Sequence, residues 1–244
     1  MNAKDINGNA EKAKKFAKEA LQNGDVVLVL DLDYTLAHYK DGLSGLFAIT
    51  HKLGIPENVA RHALMTTEER NFSFELFYQI LSTKVHVFVN EHKFIELVMP
   101  WFRENYILYD DAFEFLSQYL EHVPVVVVTA GDEEFQREKI RVLDFFPNEI
   151  IVVPMGTPKV DALKDIYGRY QKVVVFVDDN PSEFDRISID AWFGFPATSY
   201  SVRMARNDSP HVHVVKHLAV NKVRAVSSFE QLQELSLQKR SYHE

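Results

Sequence analysis

The sequence predicts an α/β fold, a doubly wound parallel sheet with an inserted set of helices, and three observations predict it. Four short apolar runs, VVLVLD (26–31), VPVVVVTA (123–130), EIIVVP (149–154) and KVVVFVDD (172–179), are rich in Val and Ile and do not alternate with polar residues. Runs of this kind suit strands covered on both faces, as in a parallel sheet. Helical patterns separate the last three runs, the strand–helix–strand alternation of a doubly wound sheet. The first two runs are separated by residues 32–122, far more chain than one crossover needs.

The elements follow in order. Residues 11–22 read as an exposed helix ending at Asn23-Gly24, a suitable C-cap. Most of the stretch after the first strand reads as helix. LSGLFAITHKLG, SFELFYQILS and HKFIELVMPWFRE each carry a stripe of large apolar residues. Residues 40–103 are therefore expected to be a helical insertion of about four helices. Residues 1–39 and 104–244 form the core. VHVFV (85–89) reads as a further strand or as extended chain linking helices. DDAFEFLSQYLEH (110–122) is the crossover helix that returns to the sheet. Residues 133–146 place Phe135, Val142 and Phe146 on one stripe with Ile140 and Leu143 beside it. Residues 159–169 do the same with Val160, Leu163, Ile166 and Tyr167, and Thr157-Pro158 reads as an N-cap followed by proline at N1.

Composition limits the function classes. A length of 244 residues suits one large domain, or a core with a sizeable insertion. The wholly apolar runs are only a few residues long, well short of the roughly 20 needed to span a bilayer. The first residues lack the apolar segment of a secretory signal, so a cytoplasmic location is expected. The absence of cysteine excludes disulfides and thiolate metal sites. A net charge of −8 argues against a nucleic-acid polymer as partner. The local basic clusters, Lys12 to Lys18 and around Arg203 and Arg206, read as solvated faces.

In parallel α/β sheets, ligands bind at the carboxyl ends of the strands. The first strand delivers Asp31 and Asp33 to that end, and the second delivers Thr129, Ala130 and Gly131. The third leads through Gly156 and Thr157 to Lys159, and the fourth delivers Asp178 and Asp179. Four carboxylates, a hydroxyl and an ammonium are expected to meet in one crevice. Clustered carboxylates need a counter-charge, and oxygen ligands without sulfur point to a hard cation, best Mg²⁺. Lys159 and Thr129 can bind an anion beside that metal. Metal, lysine, threonine and a spare carboxylate together suggest phosphoryl transfer, in which a carboxylate can attack phosphorus directly.

At these residues the sequence resembles the haloacid dehalogenase-like (HAD) superfamily of phosphohydrolases. DLDYT is similar to its first motif, VVVVTAG to the second, Lys159 in GTPKVDAL to the third, and VVVFVDDNPSEFDRI to the fourth. The resemblance implies a Rossmann-like core, a Mg²⁺ cofactor and an aspartyl-phosphate intermediate. It implies that Asp31 is the nucleophile and a metal ligand. Asp33 is then the general acid/base, and its main-chain carbonyl also binds the metal. Thr129 and Ala130 hold the phosphoryl group, and Lys159 neutralises charge on it. Asp179 ligates the metal, Asp178 is a ligand or stands behind one, and Glu183 holds a metal-bound water. An acid at position 33 favours phosphate esters over carbon–halogen substrates. The insertion lies between the first and second motifs, where a C1-type helical cap belongs. Such caps close over small substrates.

The expected function is hydrolysis of a small phosphorylated metabolite, a nucleotide or sugar phosphate. A phosphoprotein phosphatase of the phosphotyrosine type is the alternative, and a non-catalytic phosphate-binding module the next. Tyr34 stands where the family often has glycine and is expected at the pocket entrance or in packing. Lys164 is a second candidate for the third-motif lysine, less suited because it lies further from the helix start. His211, His213 and His217 read as an exposed face, Trp101 and Phe102 as core of the insertion, and Arg61 and Arg70 as exposed helix residues. Oligomeric state is not legible in the sequence.

Overall fold

The computed structural model describes residues 24–68, 70–85, 89–184, 200–211 and 223–234. The expected helix at 11–22, the centre of the VHVFV run, and His213 and His217 lie outside them. Strand β1 (Val26–Leu30) is followed by a three-residue strand β2 (Ala37–Tyr39). Four helices then run in succession: α1 (Ser44–Lys52), α2 (Glu57–Glu68), α3 (Phe74–Lys84) and α4 (Glu91–Asn105). Strand β3 (Tyr106–Leu108) and helix α5 (Asp110–Tyr119) lead back to the sheet. There β4 (Val125–Ala130), α6 (Glu133–Val142), β5 (Glu149–Val153), α7 (Val160–Tyr170) and β6 (Val173–Asp178) alternate. Strands β7 (Tyr200–Met204) and β8 (Val223–Val226) and helix α8 (Phe229–Glu234) complete the described chain.

The sheet order is β5-β4-β1-β6-β7-β8, and every pair in it is parallel. This is the doubly wound, Rossmann-like α/β architecture. Strand β1 is central, with successive residues packed into opposite apolar layers. Val26, Leu28 and Leu30 join the layer that contains the helices of the insertion. Val27 and Val29 join the layer under α7, with Val126, Val128, Leu163 and Phe176. Burial on both faces is why the run shows no polar alternation. Strand β5 differs: all five of its residues are only half-buried, because it is the outer strand.

Register fixes the site. Leu30 is level with both Val127 and Val177, so Asp31 stands level with Val128 and beside Asp178. The Asp31 N–H donates to the Val177 carbonyl at 2.9 Å, carrying the ladder one residue past the strand.

Several local expectations are corrected. Helix α6 stops at Val142, and the chain turns through Asp144 at φ 49. Phe146 therefore leaves the predicted stripe and is 75% exposed. Helix α7 begins at Val160 with Lys159 at the N-cap, so Thr157 does not cap it. The Thr157 N–H instead closes a turn onto the Pro154 carbonyl at 2.9 Å. Arg203 and Arg206 are buried rather than solvated. Arg206 pairs with Asp111 at 2.9 Å and lies over the Tyr109 ring. The antiparallel β2–β3 pair was not expected, and helix α4 runs on to Asn105, directly into β3.

The helices of the insertion do not form a separate apolar layer. Phe72, Phe74 and Phe102 meet Phe135 of α6 with ring centroids 5.2–5.5 Å apart. One continuous apolar cluster thus joins the insertion to the sheet side of the molecule.

Candidate active site

Three carboxylates at the ends of β1 and β6, from Asp31, Asp178 and Asp179, bring ligand oxygens within 4.8 Å of one another, and all three residues are buried. Lys159 reaches them from the start of α7. Its ammonium donates to Asp178 Oδ2 at 2.7 Å and to Asp31 Oδ1. The Lys159 main-chain N–H donates to Glu183 Oε2 at 3.1 Å, so Glu183 anchors the helix end that carries the lysine. Lys164, the rival lysine, is on the outside of α7 and pairs with Asp161. Ser209 was not singled out from the sequence. It is buried, and its hydroxyl donates to Asp179 Oδ2.

Three buried carboxylates share one ammonium. Burial pushes the Asp31 carboxyl up to about 7, with Lys159 pulling it down and Asp178 pushing it up. Burial, then Asp31 and Asp178, pushes Asp179 up to about 8. Asp178 is also raised, chiefly by burial. Lys159 is held charged: burial opposes its charge, but Asp178 and Asp31 more than offset this and raise its pKa. Among the described residues, negative charge is left over in this buried cluster, and all the surplus donors are carboxylate oxygens. That donor set fits a hard divalent cation.

Asp33 is turned away from this cluster. The strand ends at Leu30 and the chain bends at Leu32, so Asp33 does not follow Asp31 along one strand face. Its Oδ2 accepts from the buried Lys139 ammonium at 2.7 Å and its Oδ1 from the Tyr106 hydroxyl at 2.8 Å. The expected single crevice of four carboxylates is thus three carboxylates with Lys159, and a fourth with its own lysine. Lys139 lies over the rings of Phe135 and Tyr106, 5.0 and 5.5 Å from their centroids. Sequence reading missed Lys139 because α6 looks like a charged helix. The signal was there: Gln136 and Lys139 are polar residues on the face that carries Phe135 and Ile140, and all four are buried.

Thr129 is buried at the end of β4, and its hydroxyl donates to Gln136 Oε1 at 3.3 Å. Gln136 Nε2 in turn donates to the Ala130 carbonyl at 3.2 Å. The backbone at the next residue favours glycine. A Cβ on Gly131, whose φ is 146, would stand 2.6 Å from Gln136 Nε2. Ala130 and Gly131 line a cavity of about 150 Å³ that also receives Asp33 and Lys139.

The segment after β7 braces the other side. Asp208 accepts from the Tyr109 hydroxyl at 2.7 Å and lies 2.8 Å from His38 Nδ1, while the His38 and Tyr109 rings stack at 4.0 Å. These contacts hold Ser209 where it meets Asp179. His211 is partly buried, and its carbonyl accepts from Arg203. Arg61 is exposed as expected and pairs with Glu57, while Phe102 is fully buried and Trp101 stacks on Tyr39.

Among known structures, the chain is similar to a haloacid dehalogenase-like hydrolase from Burkholderia xenovorans, with 19% identity and a TM-score of 0.65 over 86% of this chain and 96% of that one. It is similar to a HAD-hydrolase from Bacillus subtilis solved bound to magnesium, with 14% identity and a TM-score of 0.52 over 84% and 96% of the two chains. A dehalogenase solved with an intermediate complex matches at 16% identity and a TM-score of 0.54, over 87% and 97%. The likeness is one of fold. No protein-family model and no curated protein matches the chain.

Proposed function

We propose that this chain, which has the haloacid dehalogenase-like fold, is a Mg²⁺-dependent phosphomonoester hydrolase that carries the phosphoryl group on Asp31. The observation that supports this most is the split between the two acids of the first strand end. Asp31 sits with Lys159, Asp178 and Asp179, while Asp33 faces a neighbouring cavity with Lys139 and Tyr106. A nucleophile and a proton donor are needed on opposite sides of the bond that breaks, and these two acids supply them. The fold alone does not choose between phosphatase and dehalogenase; the acid at position 33 favours the ester.

Asp31, Asp178 and Asp179 would hold the Mg²⁺, together with the main-chain carbonyl of Asp33. When bound, the ion offsets the charge of the cluster and of the phosphoryl oxygens. Lys159 adds a fixed positive charge against Asp31. An Asp31 oxygen attacks phosphorus, and the bond to the leaving-group oxygen breaks. Asp33 gives that oxygen a proton, then takes one from the water that cleaves the acyl phosphate on Asp31. Lys139 and Tyr106 keep the Asp33 carboxyl on the cavity side throughout. Burial pushes the Tyr106 hydroxyl far up, with Asp33 adding to it, so it remains a donor. Thr129 and Ala130 lie at the phosphoryl end, Thr129 through its hydroxyl. The helices of residues 40–103 act as the cap that shields the reaction from water.

The test is hydrolysis of an aryl phosphate by the purified chain. It is expected with Mg²⁺, absent with a chelator, and lost in Asp31→Asn. Chelator-resistant activity, or an active Asp31→Asn, contradicts the proposal. Tight phosphate binding without turnover on any ester would support the non-catalytic module instead.

A further inference from the structure

Asp33 gives its proton to the leaving-group oxygen in the proposed reaction, so the leaving group must occupy the cavity that Asp33 faces. That cavity holds about 150 Å³. This is the size of a space that takes one benzene ring, and half or less of an ordinary metabolite pocket. Its walls are mostly carbon, from Tyr34, Tyr39, Leu43, Leu64, Phe72 and Met155. One lining residue is tied to the insertion: the Met155 N–H donates to Asn71 Oδ1 at 2.7 Å.

Tyr34 makes the narrowness a built feature. Its φ is 57, a left-handed conformation that costs a residue with a side chain about 1–2 kcal/mol. Glycine would adopt the same turn without that cost. The tyrosine ring at this strained position forms a cavity wall.

Charge narrows the choice further. The charged residues lining the cavity are Asp33, Lys139 and Glu68. Lys139 is already spent on Asp33. Glu68, at the end of α2 on the insertion side, is exposed and leaves a net negative rim. Among the described residues, no lining cation is left over to meet a second anionic group.

From cavity, charge and strain, we infer that the substrates are phosphate monoesters whose leaving group is no larger than a single six-membered ring and carries no negative charge of its own. This inference rests on the hydrolase reading. Tyr34 sets the size limit and Glu68 rejects anionic leaving groups. Nucleotides and phosphorylated acids fall outside the class, and a phosphotyrosyl peptide gains nothing from its chain.

Two matched pairs of esters test it with Mg²⁺ present. Phenyl and 1-naphthyl phosphate leave as phenols of similar acidity, so their ratio reports size. Glycol phosphate and phosphoglycolate differ chiefly in a carboxylate. Within each pair the first is expected to have a kcat/KM about tenfold or more above the second. Tyr34→Gly is expected to close the gap in the size pair only. Glu68→Lys is expected to raise the ratio of phosphoglycolate to glycol phosphate kcat/KM about tenfold. Equal rates within the pairs, unaltered ratios in the two variants, or a phosphotyrosyl peptide turned over better than phenyl phosphate would overturn the inference while leaving the hydrolase reading intact. No hydrolysis of any ester would overturn both.

Discussion

Binding of Mg²⁺ to the metal-free protein should expel protons, and the structure gives the number. Asp31 is pushed up to about 7 and Asp179 to about 8, by burial first and by mutual repulsion of the cluster's carboxylates. At pH 7 an acid of pKa about 7 is half protonated, and one of pKa about 8 mostly so. A divalent cation needs both as carboxylates. Each Mg²⁺ bound at pH 7 should therefore release about 1.4 protons, and binding at pH 9 should release close to none. Affinity should rise roughly fiftyfold from pH 6 to 7 and about tenfold from 7 to 8, and level off above about 9. The sign for stability is the reverse of a salt-bridged carboxylate. Between about pH 4 and 8 the folded, metal-free chain holds more protons than the unfolded chain, so its stability falls as pH rises through that window. Added Mg²⁺ should raise the melting temperature more at pH 8 than at pH 6. Calorimetric titration at pH 7 in two buffers of different protonation enthalpy reads the proton count directly. Zero release, with an affinity independent of pH from 6 to 8, would refute the picture of an over-charged buried cluster.

Other expectations rest on single contacts. Lys159→Met leaves two buried carboxylates without their cation and should cost about 3–5 kcal/mol at pH 8 by denaturant unfolding, less at pH 5 where Asp31 is mostly protonated. An equal loss at both values would contradict it. Lys139→Met should lower kcat roughly tenfold or more with little change in KM, because Asp33 would keep only its bond to Tyr106, and Lys139→Arg should restore part of it. A change confined to KM would mean that Lys139 binds substrate instead. Ser209→Ala should weaken Mg²⁺ binding about tenfold, read by the same titration, since Asp179 would lose the donor that orients it. An unchanged affinity would show that the hydroxyl has no part in holding the metal.

The residues legible in the sequence were those whose position follows from one rule. Asp31, Thr129, Lys159, Asp178 and Asp179 each stand at a strand end or just beyond it, and a parallel sheet gathers its strand ends. Strands β1, β4 and β6 were legible because both faces are buried and the apolar run is unbroken. Strand β5 reads the same in letters yet is half-buried, because edge position is a property of the sheet order and leaves no local mark. The β2–β3 pair was hidden by its length of three residues, too short for a period to show. Lys139 meets Asp33 across 106 positions, and Ser209 meets Asp179 from beyond an intervening stretch of chain. Such contacts are made by tertiary packing, so neither residue carries a motif. Arg203 and Arg206 looked solvated because charge usually is; Asp111 and the Tyr109 ring, which allow Arg206 to be buried, lie far away in sequence.

The central claim is that Asp31 receives the phosphoryl group and Asp33 removes it by activating water. It is tested most directly by incubating Asp33→Asn with an aryl phosphate and Mg²⁺, quenching in acid, and mapping the modified peptide by mass spectrometry. The account predicts one phosphoryl group on the peptide that contains Asp31, formed only with Mg²⁺ and absent when Asp31→Asn is added to the same chain. A phosphoryl group on any other residue, or an unmodified Asp31 in an Asp33→Asn protein that still turns over the ester, would contradict it.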